Sequence, residues 1–300
     1  MNGSVCIIIL NWNGHRDTIE CVESCLTLDY TPYEIVVVDN GSSDGSEEIL
    51  KKRFPGIRLL QTGANLGYAG GNNAGIRYAL AKGADYVWLL NNDAMADAKA
   101  LAELVSMAGS DPLTGMVGSK ILCHAQPSVL LYAGGRIDFA MGGTEHIGYG
   151  CEDRGQFDVA GDTDYITGCS LLVKRRVIEE IGLMNEDYFL YFEETEWCAK
   201  AKAEGFRLVY APASVVLHKE SASTGKVKGM ILYYVTRNRL YFMGKNGAQK
   251  RWLKRFAADL YECCRYIKRK DRVQVLNMLA AYRHWISGYM GPLGGLVKRR

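Results

Sequence analysis

The sequence predicts an α/β protein: a mixed, mainly parallel sheet flanked by helices, with a helical C-terminal appendage. Three observations carry this. Short apolar, β-branched runs alternate with helix-length segments through the first hundred residues, the order a parallel sheet with right-handed crossovers requires. The run Tyr86 to Leu90, YVWLL, is apolar without alternation, as in a strand covered on both faces. Each early run stops at a loop rich in Asn, Asp, Ser or Gly, and such crossovers bring those ends to one edge, where open α/β sheets bind ligands.

Val5 to Leu10 reads as the first strand. It ends in Asn11-Trp12-Asn13-Gly14, which is turn chemistry, and a helix follows from about Arg16 to Thr27. Glu34 to Val38 is the second strand, stopping at Asp39-Asn40-Gly41-Ser42-Ser43-Asp44-Gly45-Ser46 before a helix that starts near Glu47. Asp39 there suits hydrogen bonds from a ribose or a base. Ile57 to Gln61 is the third. The loop after it, Asn65 to Gly75, has glycines at 67, 70, 71 and 75, expected to admit close backbone approach and leave amides open to an anion. A helix then runs through Ala81. Each loop alone is ordinary turn punctuation; four on one edge make a site.

The YVWLL strand runs into Asn91, Asn92 and Asp93. Asp93 offers hard oxygen to a divalent cation, and such a cation suits a diphosphate. The competing reading is a polar turn in which Asp93 caps a helix over Ala94 to Met107. No GxGxxG follows the first strand and no GxxxxGK[ST] occurs, which excludes the dinucleotide fingerprint and the phosphate-cradling NTPase loop.

Beyond Asp93, Met116 to Leu122 and Ser128 to Ala133 read as strands, and Gly134 to Asp158 as an irregular stretch suited to covering a pocket. Thr167-Gly168-Cys169-Ser170 precedes the apolar Leu171 to Val173, and a helix over Arg175 to Ile181 ends at a capping Gly182. Tyr188 to Trp197 then follows an aromatic run with Glu193, Glu194 and Glu196. Helical spacing expects Glu193 and Glu196 on one side. Acids in a first turn also answer the helix dipole. Carboxylates beside apolar rings, however, lose solvation and gain the raised pKa a general base requires, and Glu194 is the expected base. Phe206 to Tyr210 and Ser214 to Leu217 are strands separated by Pro212. His218 ends the second, ahead of a small-residue segment expected to be flexible, Lys219 to Gly229. A lone histidine is more often structural, yet imidazole suits a softer divalent ion such as Mn²⁺ and makes His218 a second metal ligand beside Asp93.

The net charge of +3 hides an asymmetry: Lys226 to Arg300 holds 18 Lys and Arg against three acids. That divides the chain into an acidic body over 1–225 and a basic helical region over 226–300. Leu253, Phe256, Leu260, Cys264 and Ile267 follow helical spacing in the tail, as do Val273, Leu276, Leu279 and Ile286. Most of that apolar face is expected to be core, with peripheral contact to an anionic membrane as the other reading. No nucleic-acid recognition motif is present. Nine cysteines without a CxxC pair read as small hydrophobes in a reducing compartment. With no signal peptide and no apolar stretch near membrane-spanning length, a cytoplasmic protein is expected.

In order along the chain, IIILNWNG, VVVDNGSSDGS, NLGYAGGNNAGI, LLNNDA, YITGCSLLVKR, FLYFEETEWCAKA and VLHKES resemble the family 2 glycosyltransferases of the GT-A fold, above all bacterial rhamnosyltransferases. The similarity covers roughly residues 4–242. It implies inverting transfer of a sugar from a nucleotide-diphosphate sugar to a hydroxyl of a glycan or lipid-linked acceptor in cell-surface polysaccharide assembly. It implies a Mn²⁺ or Mg²⁺ ion, and action in the cytoplasm or on the inner face of the cell membrane. By matching position, Asn11, Asn13, Asp39 and Asn40 would hold the nucleotide, and Asn65, Gly70, Gly71, Asn72 and Asn92 would lie around the ribose and diphosphate. Asp93 ends the family's DxD-type motif, and Glu194 takes the base position. His218 matches a metal-binding histidine, while Gly168 and Cys169, with Glu193, Glu196 and Trp197, fall on the acceptor side. Arg237 is a further candidate for the diphosphate. Asn91 stands where the motif has its first acid, so the metal is expected to arrive mainly with the donor. L-rhamnose from dTDP-rhamnose leads the donors; UDP-galactofuranose, UDP-glucose and UDP-N-acetylhexosamine stay open. A sugar nucleotidyltransferase and a catalytically silent binding relative are the other classes, the latter opposed by the intact acidic trio.

Overall fold

β1 (Val5–Asn11), β2 (Tyr33–Asp39), β3 (Arg58–Gln61) and β4 (Tyr86–Asn91) pair in parallel, in the order β3-β2-β1-β4. This computed structural model describes residues 3–219 and 230–293. The register sets Asn11 opposite Asp39 and Leu10 opposite Asn91, so the polar ends of these strands share one edge. In β4, Val87, Trp88, Leu89 and Leu90 are all buried, as an unalternating run between two helical layers must be. The crossovers are α1 (His15–Cys25), α2 (Ser46–Arg53) and α3 (Gly67–Ala81).

α3 starts eight residues before the expected end of its glycine loop. Gly70, Gly71 and Gly75 are therefore helical, and their amides serve the helix rather than an anion. Their role is packing: a Cβ at Gly71 would overlap the Leu10 side chain, and one at Gly75 would overlap Ile8. The bare helix face lets α3 lie directly on β1.

The second half of the sheet changes direction. After a short strand β5 (Ala94–Ala96) and α4 (Ala100–Gly109) come β6 (Thr114–Cys123) and β7 (Gln126–Tyr132). A separate hairpin, β8 (Gly135–Asp138) with β9 (Gly143–His146), occupies the stretch expected to be irregular. β10 (Gly161–Asp162), β11 (Ser170–Lys174) and β12 (Arg207–His218) complete the order β10-β12-β6-β11-β4-β1-β2-β3. The helix expected from Ala94 instead begins at Ala100, because β5 pairs with β12 and sets Ala94 opposite His218. The two strands expected around Pro212 form one, and the proline, with no N–H for the ladder, falls in the register break between Ala211 and Val215. Antiparallel β11 lies between β4 and β6, which brings its first residues to the rim formed by the ends of β1, β2 and β4.

α5 (Arg175–Ile181) ends at Gly182, whose φ of 78° is a glycine conformation, and α6 (Glu193–Ala203) carries the acidic run. The expected boundary between residues 225 and 226 and most of the segment Lys219 to Gly229 lie outside the described residues. α7 (Met230–Lys245) joins the body, since its Phe242 is fully buried and packs against Phe139 and Phe192. α8 (Trp252–Lys268) and α9 (Arg272–Ser287) form an antiparallel pair linked by the ring contacts Trp252–Trp285 and Phe256–Tyr282. The expectation that their apolar stripe is mostly core is wrong. Leu253 is 84% exposed and Ile286 76%, and Phe256, Leu260, Cys264, Ile267, Val273, Leu276 and Leu279 are exposed as well. Among the described residues no helix is long and apolar enough to cross a membrane.

Candidate functional site

A cleft of about 700 Å³ opens at the rim, walled by strand ends on one side and by the start of α6 on the other. Asn91 ends β4 and Asp93 follows it, Gly168 and Cys169 precede β11, and His218 ends β12; all five line it. Asp93 is buried, and its Oδ1 lies 3.0 Å from His218 Nε2. Its carboxylate thus faces the imidazole and the cleft, and the capping role open in the sequence is not the one it takes. Burial disfavours charge on His218, but Cys169 and Asp93 beside it outweigh that and hold its pKa up at about 11. Asn91 Nδ2 lies 3.5 Å from the same ring nitrogen.

Opposite stand Glu193 and Glu194, at the first two positions of α6, both lining the cleft. Each has a buried Oε2 with no hydrogen-bond partner among the described residues. Burial, then its neighbour Glu194, pushes Glu193 well above the usual carboxyl range, while burial raises Glu194 to about 7. Two adjacent desolvated carboxyls do not both ionise near neutrality, so the pair holds one proton there. Tyr68, missed in the sequence, stands beside both: burial, then Glu194 and Glu193, raises its hydroxyl well above the usual value.

The chain reaches the acids through a strained turn. Phe189, Tyr191 and Phe192 have φ of 63°, 69° and 79°, a region non-glycine residues avoid. What holds the turn comes from α7. Asn238 Nδ2 donates to the carbonyls of Tyr188 (3.0 Å), Leu190 (2.8 Å) and Tyr191 (2.7 Å). Arg237 Nη2 donates to the Tyr188 carbonyl at 2.9 Å. On the other side Tyr68 N–H donates to the Phe189 carbonyl at 2.7 Å, an approach that depends on Gly67, where a Cβ would overlap that same oxygen.

Among the residues singled out in the sequence, Asn40, Asn65, Asn92, Asp93, Gly168, Cys169, Glu193, Glu194 and His218 line the cleft. Asn11, Asn13 and Asp39 do not line it and hydrogen-bond with one another and with Ser42 and Ser43 at the strand ends. Asn11 Nδ2 donates to Asp39 Oδ1 at 2.7 Å, and Asn13 Oδ1 accepts from the Ser43 amide at 2.8 Å. Gly70, Gly71 and Asn72 belong to the body of α3; the Asn72 amide donates to the Tyr68 carbonyl one turn earlier. Arg237 does not reach a diphosphate, being fully buried and spent on carbonyls and the faces of Tyr233 and Tyr234. Glu196 and Trp197 do not line the cleft. Glu196 pairs with Lys245 at 2.9 Å, and Trp197 is in the core with its indole N–H on the Gly182 carbonyl. The left-handed Phe192 rotates α6 so that Glu193 and Glu194, not Glu193 and Glu196, share the cleft. His146 on β9 and Tyr234 on α7 also line it, with no sequence signal to mark them.

Gly168 closes the wall. The Tyr68 hydroxyl donates to its carbonyl at 2.7 Å, and a Cβ there would overlap that ring. Tyr68 is held between α3 and the acids and has little room to retreat. Gly168→Ala is expected to cost about 1–3 kcal/mol, the usual range for overpacking, read as a lower urea midpoint at unchanged slope.

The family model described as Glycosyl transferase family 2 matches residues 4–182. An N-acetylglucosaminyl-diphospho-decaprenol L-rhamnosyltransferase of Mycobacterium tuberculosis is 28% identical over 215 residues, 65% of this chain and 69% of that one. The low-salt glycan biosynthesis hexosyltransferase Agl10 of Haloferax volcanii is 26% identical over 80% of this chain and 75% of its own length. Among solved structures, the mannosyltransferase PcManGT of Pyrobaculum calidifontis, in complex with GDP-Man and Mn²⁺, superposes with a TM-score of 0.60 at 15% identity, covering 95% of this chain and 88% of that one. GalNAc-T7 with UDP, GalNAc and Mn²⁺ gives 0.59 at 17% identity over 72% of this chain, which spans only 44% of that protein's length. These structural likenesses are likenesses of fold.

Proposed function

The chain belongs to glycosyl transferase family 2, with the GT-A fold, and from that premise we propose that it transfers a sugar from a nucleotide diphosphate to an acceptor hydroxyl with inversion. The observation that carries the reading is the meeting, in one cleft, of the Glu193 and Glu194 carboxyls, each with a buried Oε2 that has no hydrogen-bond partner among the described residues, with the Asp93–His218 pair. Glu194 acts as the general base. It takes the proton of the acceptor hydroxyl as that oxygen attacks the anomeric carbon and the bond to the diphosphate breaks. Its pKa of about 7 suits that work at neutral pH, whereas the more deeply buried Glu193 keeps its proton.

Asp93 and His218 would hold a divalent cation, Mn²⁺ or Mg²⁺. Their Oδ1 and Nε2 converge at the cleft wall, and a carboxylate with a neutral imidazole is a donor set that first-row divalent ions accept, so His218 would give up the proton it otherwise holds when the cation binds. Among the described residues no group of three His, Cys, Asp or Glu could hold a metal, so the remaining donors fall to the diphosphate and water. When bound, such an ion neutralises the charge that grows on the leaving diphosphate. Asp93→Ala is expected to weaken donor binding by roughly the 10–100-fold typical of a disturbed metal site. Calorimetric titration with and without Mn²⁺ reads this: the difference from wild type should vanish once the metal is chelated.

The proposed donor is dTDP-rhamnose and the proposed acceptor a lipid-linked saccharide on the inner face of the cell membrane, supported by the rhamnosyltransferase of Mycobacterium tuberculosis. A nucleotide-diphosphate hexose is the second reading, favoured by the match to the Haloferax volcanii hexosyltransferase. Thermal shift against dTDP-rhamnose, UDP-glucose, UDP-galactofuranose and UDP-N-acetylglucosamine, with Mn²⁺ present, separates them. Stabilisation by dTDP-rhamnose alone supports the first and by a UDP-hexose the second; none by any nucleotide sugar defeats both.

A further inference from the structure

α8 and α9 leave an apolar surface that none of the described residues covers. Leu253, Phe256, Leu260 and Ile267 recur along one side of α8, and each is at least half exposed. Val273, Leu276, Leu279 and Ile286 do the same on α9. Patches of this kind on a folded chain mark interaction sites. The charge around it has one sign. Asp259 is buried against Arg255, Arg239 and Tyr282, Glu262 pairs with Arg265, and Asp271 caps α9 by accepting from the Gln274 amide. All three acids of the segment are thereby engaged, while Lys254, Lys268, Arg269, Lys270, Arg272 and Arg283 stand exposed.

We propose that this face of α8 and α9 docks on an anionic lipid membrane. A helix with an aliphatic and aromatic stripe flanked by lysine and arginine is built to lie in the interface plane, its stripe in the acyl boundary and its cations among headgroups. A second copy of the chain fits less well, because a two-fold contact on this face sets one basic rim against the other. A nucleic acid would leave the apolar stripe unused. The placement also suits the cleft, whose wall includes Tyr234 of α7 and Leu293 just after α9, so the docked face and the cleft share one structural unit. The inference goes beyond the proposed sugar transfer and holds whatever the donor.

The test is flotation of the full chain with vesicles of phosphatidylcholine, with and without phosphatidylglycerol. The chain should float with the anionic vesicles, remain behind with phosphatidylcholine alone, and detach as salt rises. The double variant Phe256→Glu with Leu260→Glu should lose flotation. Lys268→Glu with Lys270→Glu should weaken it by at least roughly fivefold per basic residue removed. None of these residues touches the cleft, so thermal stabilisation by donor should be unchanged and certifies the fold. Failure of the wild-type chain to float at low salt overturns the proposal. Equal flotation of wild type and Phe256→Glu/Leu260→Glu overturns it too, as does a wild-type dimer in sedimentation that this variant dissolves while no chain binds vesicles. Flotation is read without turnover, so its failure is distinct from failure of the transferase reading.

Discussion

Glu194→Gln is expected to lower kcat by about a hundred- to ten-thousand-fold, the span general-base catalysis supplies, while donor affinity stays nearly that of wild type. The amide keeps the shape of the side chain but cannot accept the acceptor's proton. Because burial raises Glu194 to about 7, the wild-type rate should climb as pH rises through that value, and this limb should be missing in the variant's residual rate. Stability runs the other way. A carboxyl with a folded pKa above its unfolded one binds its proton more tightly in the native state, so its contribution is complete at acid pH and is lost as pH rises through about 7. Glu194→Gln should therefore melt higher than wild type above neutrality and show a flatter profile. Glu193→Gln is the matched control. Burial and the neighbouring Glu194 favour the protonated form of Glu193, and its amide should retain most of the rate. Full turnover by Glu194→Gln would move the base elsewhere.

Asn238→Ala is expected to be nearly as damaging, although Asn238 itself does not line the cleft. The turn it holds contains three left-handed non-glycine residues, each of which costs about 1–3 kcal/mol and persists only where its surroundings over-determine it. Asn238 supplies donors to three carbonyls of that turn, and leaving a buried acceptor unmet costs about 1–3 kcal/mol. We expect a stability loss of about 3 kcal/mol in urea denaturation. We also expect a fall in kcat larger than any change in donor affinity, because the opposite wall, with Asp93 and Asn92, is built independently. Asn238→Asp is the sharper experiment: it keeps the volume, but a carboxylate cannot donate and would face the same carbonyls. If Asn238→Asp matched wild type in stability and kcat, the turn would have to be held by other contacts.

Much of the fold was legible because its signals are local. The apolar runs of β1, β2 and β4, and the polar residues that stop each of them, specify buried strands and the edge where their loops meet. The DxD-like stretch, the acid run and His218 were visible as chemistry at strand and helix ends. The misreadings share one cause. Gly70, Gly71 and Gly75 look like a loop to a local reading, but all three are helical, and the close fit of α3 on β1 uses Gly71 and Gly75 as a bare helix face. Glu196 looks like a partner of Glu193 by helical spacing, yet the left-handed Phe192 and the Lys245 contact turn it away from the cleft. Arg237 looks like a phosphate ligand by charge and proves to be fastened to carbonyls.

What the sequence determined by itself is the family, the alternation of strands and helices that makes a parallel sheet in the first half, and the residue types present at the rim, because periodicity, turn chemistry and motif order are properties of neighbouring residues. Which carboxyls face the cleft, what braces the turn that carries them, and that the tail's apolar stripe lies open were decided only by tertiary structure. Those outcomes depend on contacts between segments as distant as residues 188–192 and 238, and on burial, which no run of neighbours encodes.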